Sequence, residues 1–170
     1  MTTRWLTGAI VLLTATMAGA QHAHDGAGPS QGHRIAQRCQ TEFEQVIGSG
    51  RGFGLAFAAD QQGYPGPMHV LELKQRLQLN AEQEAAMRRL MEAMFAQSRP
   101  ASERLLVAER RLRAVFANGA ADEAAVRAAV ADIERARTEV RLVHLLTHLR
   151  TRDLLTDEQR RLYHAARWAD

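Results

Sequence analysis

The stretch Leu112-Arg113-Ala114-Val115-Phe116-Ala117-Asn118-Gly119-Ala120-Ala121-Asp122-Glu123-Ala124-Ala125-Val126 decides the fold. Asn118-Gly119 is a tight-turn dipeptide, and Asp122 just beyond it is a residue type that opens helices. Upstream, Met87, Leu90, Met91, Met94, Phe95, Leu105, Leu112, Val115 and Phe116 recur at intervals of three and four, the stripe of an amphipathic helix. Downstream, Val126, Val130, Ile133, Val140 and Val143 stripe a second long helix to about Asp153, with Glu123/Arg127 and Glu134/Arg137 spaced to pair on its surface. Pro100 interrupts the first stripe, which resumes beyond it, so a kink is expected there and not an end.

With Asn118-Gly119 as the apex of an antiparallel hairpin, residues equally distant on either side lie level. Gln83 and Thr156 then meet about 36 residues, hence ~54 Å, from the apex. Short helices are predicted beyond both points, over 68–77 and from Leu155 to about Trp168. The expected fold is all-α, a long antiparallel two-helix hairpin with short hooked helices at its open end. Such a hairpin cannot cover its own apolar stripes, which predicts a homodimer, a four-helix-type assembly.

Arg4, the apolar run from Trp5 to Met17 and then Ala18-Gly19-Ala20 read as a secretory signal peptide cleaved after Ala20. The run is shorter than the roughly 20 apolar residues that cross a bilayer. Residues 21–32 are mostly Gly, Ala, His, Gln and Ser and read as a flexible tail carrying His22 and His24. A short helix over 33–47 follows, then the linker Gly48-Ser49-Gly50-Arg51-Gly52-Phe53-Gly54, ended by Gly63-Tyr64-Pro65-Gly66-Pro67. The organisation is thus 1–20 signal peptide, 21–63 tail, helix and Gly-rich linker, and 64–170 hairpin domain. Cys39, the single cysteine, shares a helical stripe with Ile35, Phe43 and Val46 and is expected to be a buried small hydrophobe; an intermolecular disulfide or a metal thiolate is the alternative.

The 170 residues are 46% hydrophobic, 24% charged and 5% aromatic, which fits one small globular domain. Net charge is +3, but the 22 cations, of which Lys74 is the single lysine, are interleaved with 19 acidic residues. That is a mixed, solvated surface, and it argues against nucleic acid as a partner.

Leu155-Thr156-Asp157-Glu158-Gln159 fits LTxxQ, and Leu79-Asn80-Ala81-Glu82-Gln83 repeats it with Asn for Thr. Each motif is explained locally by a capping box, with Thr156 or Asn80 at the N-cap, Gln159 or Gln83 at N3, and the preceding leucine as a hydrophobic staple. Two such motifs at matching levels of one hairpin, in an exported helical chain, resemble the periplasmic LTxxQ family. Its members include the Spy and CpxP stress chaperones, the zinc-resistance-associated proteins and the CnrX-type heavy-metal sensors. The resemblance covers about residues 64–168 and implies a periplasmic, dimeric stress or metal protein, with either a membrane-bound signalling partner or unfolded envelope proteins as its partners.

His144 and His148 are spaced i, i+4, which lets two imidazoles reach one metal ion, and His144 continues the stripe of Val140. Glu92 lies about 26 residues before the apex and His144 about 25 after it, which puts them at nearly the same height, with Met91 and Met94 close by. The resemblance implies a site of this kind: the sensor branch uses a His-x-x-x-Met pair with an opposing Glu, so His144, His148 and Glu92 look like a His-for-Met variant. That branch adds an H-x-x-x-H pair, of which His69 is near the right place while position 73 is Leu. Imidazole and carboxylate donors of this set would suit Zn(II), Ni(II), Co(II) or Cu(II). Met87, Met91 and Met94 offer either thioethers for Cu(I), core packing, or an adaptable surface for apolar clients, flanked by Arg88 and Arg89.

Catalytic signatures are missing at the positions that would need them. His144-Leu145-Leu146-Thr147-His148 lacks the Glu of H-E-x-x-H, Ser49 lacks the flanking glycines of a nucleophile elbow, and Leu55 breaks a G-x-G-x-x-G reading from Gly50. The expectation is a non-enzymatic periplasmic protein that binds a divalent transition metal in sensing or resistance, and the alternative is an ATP-independent holdase chaperone.

Overall fold

The computed structural model describes residues 30–169, and among them the chain forms six helices and no strand. These are α1 (Gln31–Gly48), α2 (Phe57–Gln61), α3 (Pro67–Glu72), α4 (Ala81–Ala117), α5 (Glu123–Asp153) and α6 (Asp157–Arg167). The segment expected to be a signal peptide, its expected cleavage site, and the expected tail with His22 and His24 lie outside the described residues.

The expected hairpin is α4 and α5, and it dominates the packing. Asn118 caps α4 and Gly119 turns the chain with φ +65°. The Asp122 carboxylate then accepts from the Ala125 N–H at 2.7 Å and opens α5. Arg104 reaches Glu139 at 2.7 Å and Arg137 reaches Glu109 at 3.5 Å across the hairpin, fixing its register. Pro100 sits inside one continuous α4, and it and Ala96, whose carbonyl loses its donor to the proline ring, are both exposed, so water can serve that carbonyl.

The open end is closed by the two motifs acting on each other. Gln83 and Gln159 each accept the N–H of their own N-cap, and their amides then pair reciprocally, at 2.8 and 3.0 Å. Their remaining N–H groups go to the Leu154 and Leu77 carbonyls, at 3.0 and 3.2 Å. Every donor and acceptor site on both amides is used.

Two apolar clusters fill the interior. One lies along the hairpin, with Ile47, Leu105, Ile133 and Val140, and the other at the open end, with Val70, Leu77, Met87, Leu155 and Tyr163. Between Val140 and Leu155 the buried face of α5 turns polar, presenting His144, Thr147, His148 and Thr151. Both threonines bond carbonyls of their own helix, Thr147 that of Val143 at 2.7 Å and Thr151 that of Thr147 at 2.8 Å.

Several elements differ from expectation. α1 begins at Gln31, capped by Ser30, and meets α4 through its C-terminal half alone; residues 31–42 are exposed. Cys39 is therefore exposed and not buried, because its stripe packs at Phe43 and Val46 but leaves Ile35 and Cys39 uncovered. α3 ends at Glu72, short of the predicted 77, and is followed by turns that include Gln78 at φ +50°. The short α2 carries no periodic signal of its own. The glycine-rich segment between α1 and α2 is packed against α4 and α5: Gly50 is buried, and the Ser98 hydroxyl donates to its carbonyl at 2.8 Å. At φ +84°, and with Phe95, Ser98 and Arg99 where a Cβ would stand, position 50 admits glycine without strain and little else.

Candidate metal centre

The polar face of α5 opens into a cavity of about 310 Å³. Its walls come from the α1–α2 and α2–α3 connections, from α3, and from the α4 turn that carries Met94 and Phe95. Phe53, Phe57, Met68 and Met94 give it apolar walls, and Asp60, His69, His144, His148 and Arg167 bring polar groups into it. Phe53 holds a left-handed backbone, φ 41°, and stacks edge-on against Phe43 at 5.4 Å, the mark of a residue held in place by its surroundings.

A backbone carbonyl orients His148. His148 Nδ1 lies 2.6 Å from the Tyr64 carbonyl oxygen, which only accepts, so Nδ1 carries the proton and Nε2 keeps its lone pair. Nε2 faces Gly66, where a Cβ would stand at 3.0 Å, so glycine leaves room in front of that lone pair. His144 lies near enough to the Gly50 carbonyl to feel its dipole, and its buried Nε2 has no partner at all. The ring packs on Gly52, whose absent Cβ would lie 3.1 Å from it. Burial pushes both histidines below their ordinary value of 6.5, His144 further through the neighbouring charge of His148, while the Gly50 and Tyr64 carbonyls partly oppose the shift. Both rings are neutral at neutral pH, the form in which imidazole binds a metal. A ligating histidine whose other nitrogen is held by a carbonyl is the usual outer-sphere arrangement of metal sites.

His69 lines the same cavity in a different state. Arg167 donates to its Nε2 at 3.2 Å, and its Nδ1 therefore donates to Glu72 at 3.0 Å. Both nitrogens are engaged, one of them by a cation. Glu92 is exposed and lines no part of the cavity. Height along the hairpin places it level with His144, but at 100° per residue it stands about 140–160° around α4 from the inward-facing Met87 and Met94. Among the described residues no three His, Cys, Asp or Glu side chains converge on one point, so His69, Glu92, His144 and His148 do not stand as one preformed cluster.

The methionines divide. Met87 belongs to the open-end core, Met94 is buried at the cavity wall and Met91 is half-buried. Arg88 and Arg89 point to solvent, and Arg88 pairs with Glu84 at 3.3 Å.

Sequence reasoning did not single out Asp60 and Arg167. The Asp60 carboxylate is buried, accepts from the Tyr163 hydroxyl and from Arg167 Nε at 2.9 Å, and so ties α2 to α6 at the cavity wall. Burial, reinforced by Asp60, drives the Tyr163 phenol well above its ordinary range and keeps it a donor. The signal available was the glycine density at 48–54, which marks close backbone approach as well as flexibility.

A family model described as heavy-metal resistance matches residues 51–161. The match takes in the α1–α2 connection at Gly52, α2 and both histidines, and so starts before the 64–168 suggested by helical pattern. No curated protein and no solved structure matches the chain.

Proposed function

The chain belongs to the heavy-metal resistance family, and from that premise we propose that it is a non-catalytic, exported periplasmic protein that holds a transition-metal ion between His144 and His148. The observation that carries this reading is the shared state of the two rings. Both are buried and neutral; His144 keeps a buried Nε2 with no partner, and His148, its Nδ1 held by the Tyr64 carbonyl, keeps an Nε2 that makes no hydrogen bond. Left unserved, a buried nitrogen such as His144 Nε2 costs about 1–3 kcal/mol, and a metal ion held between the rings removes that cost. The test is native mass spectrometry of chelator-treated protein titrated with metal salts. One ion per chain is expected, lost in His144→Ala/His148→Ala; uptake unchanged by that double substitution rejects the site.

A holdase chaperone is the second reading, and one feature supports it. Leu142, Leu146 and Leu149 form a row on α5 that is 46–50% exposed. Apolar surface of that kind suits a second copy of the chain or an unfolded client. The methionine surface first assigned to clients does not serve, since Met87 and Met94 are interior. Aggregation of a model client in the presence of excess metal-free protein separates the readings: suppression supports the holdase, and overlapping curves remove it.

A further inference from the structure

The cavity's donor set differs from the one that suits a divalent ion. Its one carboxylate, Asp60, is already taken by Arg167 and Tyr163, and His69 is capped by the same guanidinium. Apart from the two free imidazoles, the ligand-competent atoms on the wall are the thioether sulfurs of Met68 and Met94.

We infer that this cavity is a site for monovalent copper, with His144 and His148 as the nitrogen donors and Met68 and Met94 as the thioether donors. The inference rests on the metal-binding reading above and narrows it to one ion. Two arguments lead to it independently. Thioethers are soft ligands that favour Cu(I), and they contribute little to Zn(II), Ni(II) or Co(II). Charge gives the same answer: all four donors are neutral, and the cavity wall carries the guanidiniums of Arg51 and Arg167 against the single carboxylate of Asp60. A divalent ion placed there gains no neutralising ligand and meets twice the repulsion of a monovalent one. The walls are largely apolar, with Phe53, Phe57, Met68 and Met94 among them, a setting that disfavours the more highly charged oxidised ion.

The test is an anaerobic titration of the full chain with Cu(I), with bicinchoninate as competing chelator and absorbance of its copper complex as readout. A Cys39→Ser background removes the exposed thiol as a competing ligand. One Cu(I) per chain is expected, not displaced by excess Zn(II). Met68→Leu/Met94→Leu preserves side-chain volume and is expected to keep the helical circular dichroism while weakening Cu(I) at least about tenfold. Unchanged Cu(I) affinity in that variant overturns the inference. So does uptake of Zn(II), Ni(II) or Co(II) in preference to Cu(I); if that uptake is lost in His144→Ala/His148→Ala, the broader metal reading survives. Uptake of no ion overturns both.

Discussion

Gln83 and Gln159 hold each other by two reciprocal amide hydrogen bonds, 2.8 and 3.0 Å long, so the two capping boxes at the open end are one structure. A glutamate at either position keeps the acceptor that its own N-cap uses but turns the donor into a second acceptor facing a carbonyl. Gln83→Glu is expected to lower the unfolding free energy by about 1–3 kcal/mol, read from the urea midpoint. A midpoint equal to that of the parent protein would mean the pair contributes nothing.

The buried histidines make the metal-free protein acid-sensitive. Both have folded values below the ordinary 6.5, so as pH falls through 6.5 the unfolded chain takes up protons that the folded one refuses. Stability is complete above about pH 6.5, declines toward the lowered folded values and levels off below them. The slope within that window approaches ~1.4 kcal/mol per pH unit for each histidine. Urea midpoints of chelator-treated protein at pH 7.5 and 5.5 measure it, and a flat profile would contradict neutral, buried rings.

Much of this architecture is legible in the sequence for a physical reason. The hairpin follows from two periodic stripes around Asn118-Gly119, and the meeting of Gln83 with residues near Thr156 follows from rise per residue alone. Counting rise gives height and leaves azimuth free, which is why Glu92 is level with His144 yet faces solvent. Cys39 shows a similar limit: an amphipathic stripe announces a face but not whether a partner reaches it, and α4 meets only the C-terminal half of α1. Asp60 is illegible because one polar residue on a five-residue helix has no period; its meaning comes from Arg167, more than a hundred positions away.

Gly66 is expected to act on binding more than on folding. Its backbone, φ −82° and ψ 151°, suits any L-residue, but a Cβ would stand 3.0 Å from His148 Nε2. Gly66→Ala should therefore keep the fold while weakening metal affinity about tenfold, measured by the same chelator competition. Affinity equal to the parent's would show that His148 Nε2 is not the ligating atom.

Asp60→Asn removes the carboxylate that serves both Tyr163 and Arg167. About 2 kcal/mol of stability should be lost, since charged hydrogen bonds contribute about 1.5–3 kcal/mol and Arg167 is left half-buried beside a neutral amide. Thermal unfolding of the variant checks this, and a transition within a degree of the parent's would remove Asp60 from the account.

The exposed leucine row bears on assembly. If Leu142, Leu146 and Leu149 bury themselves against a second copy, Leu146→Glu should convert a dimer to a monomer by light scattering while leaving the helical circular dichroism unchanged. A parent protein that is already monomeric ends that reading.

The hairpin tip is built differently from the rest. No residue from 114 to 132 is buried, and the Arg113–Glu44 ion pair at 2.9 Å is the outermost one that α1 makes with the hairpin, so the last turns of α4 and the first of α5 rest on each other. Opening of those turns exposes little apolar area and leaves both histidines in place. Amide protons should accordingly exchange with solvent in a gradient, fastest near Asn118 and slowest around Val140 and Tyr163. The hairpin can fray over its distal third while the end that carries His144 and His148 stays locked.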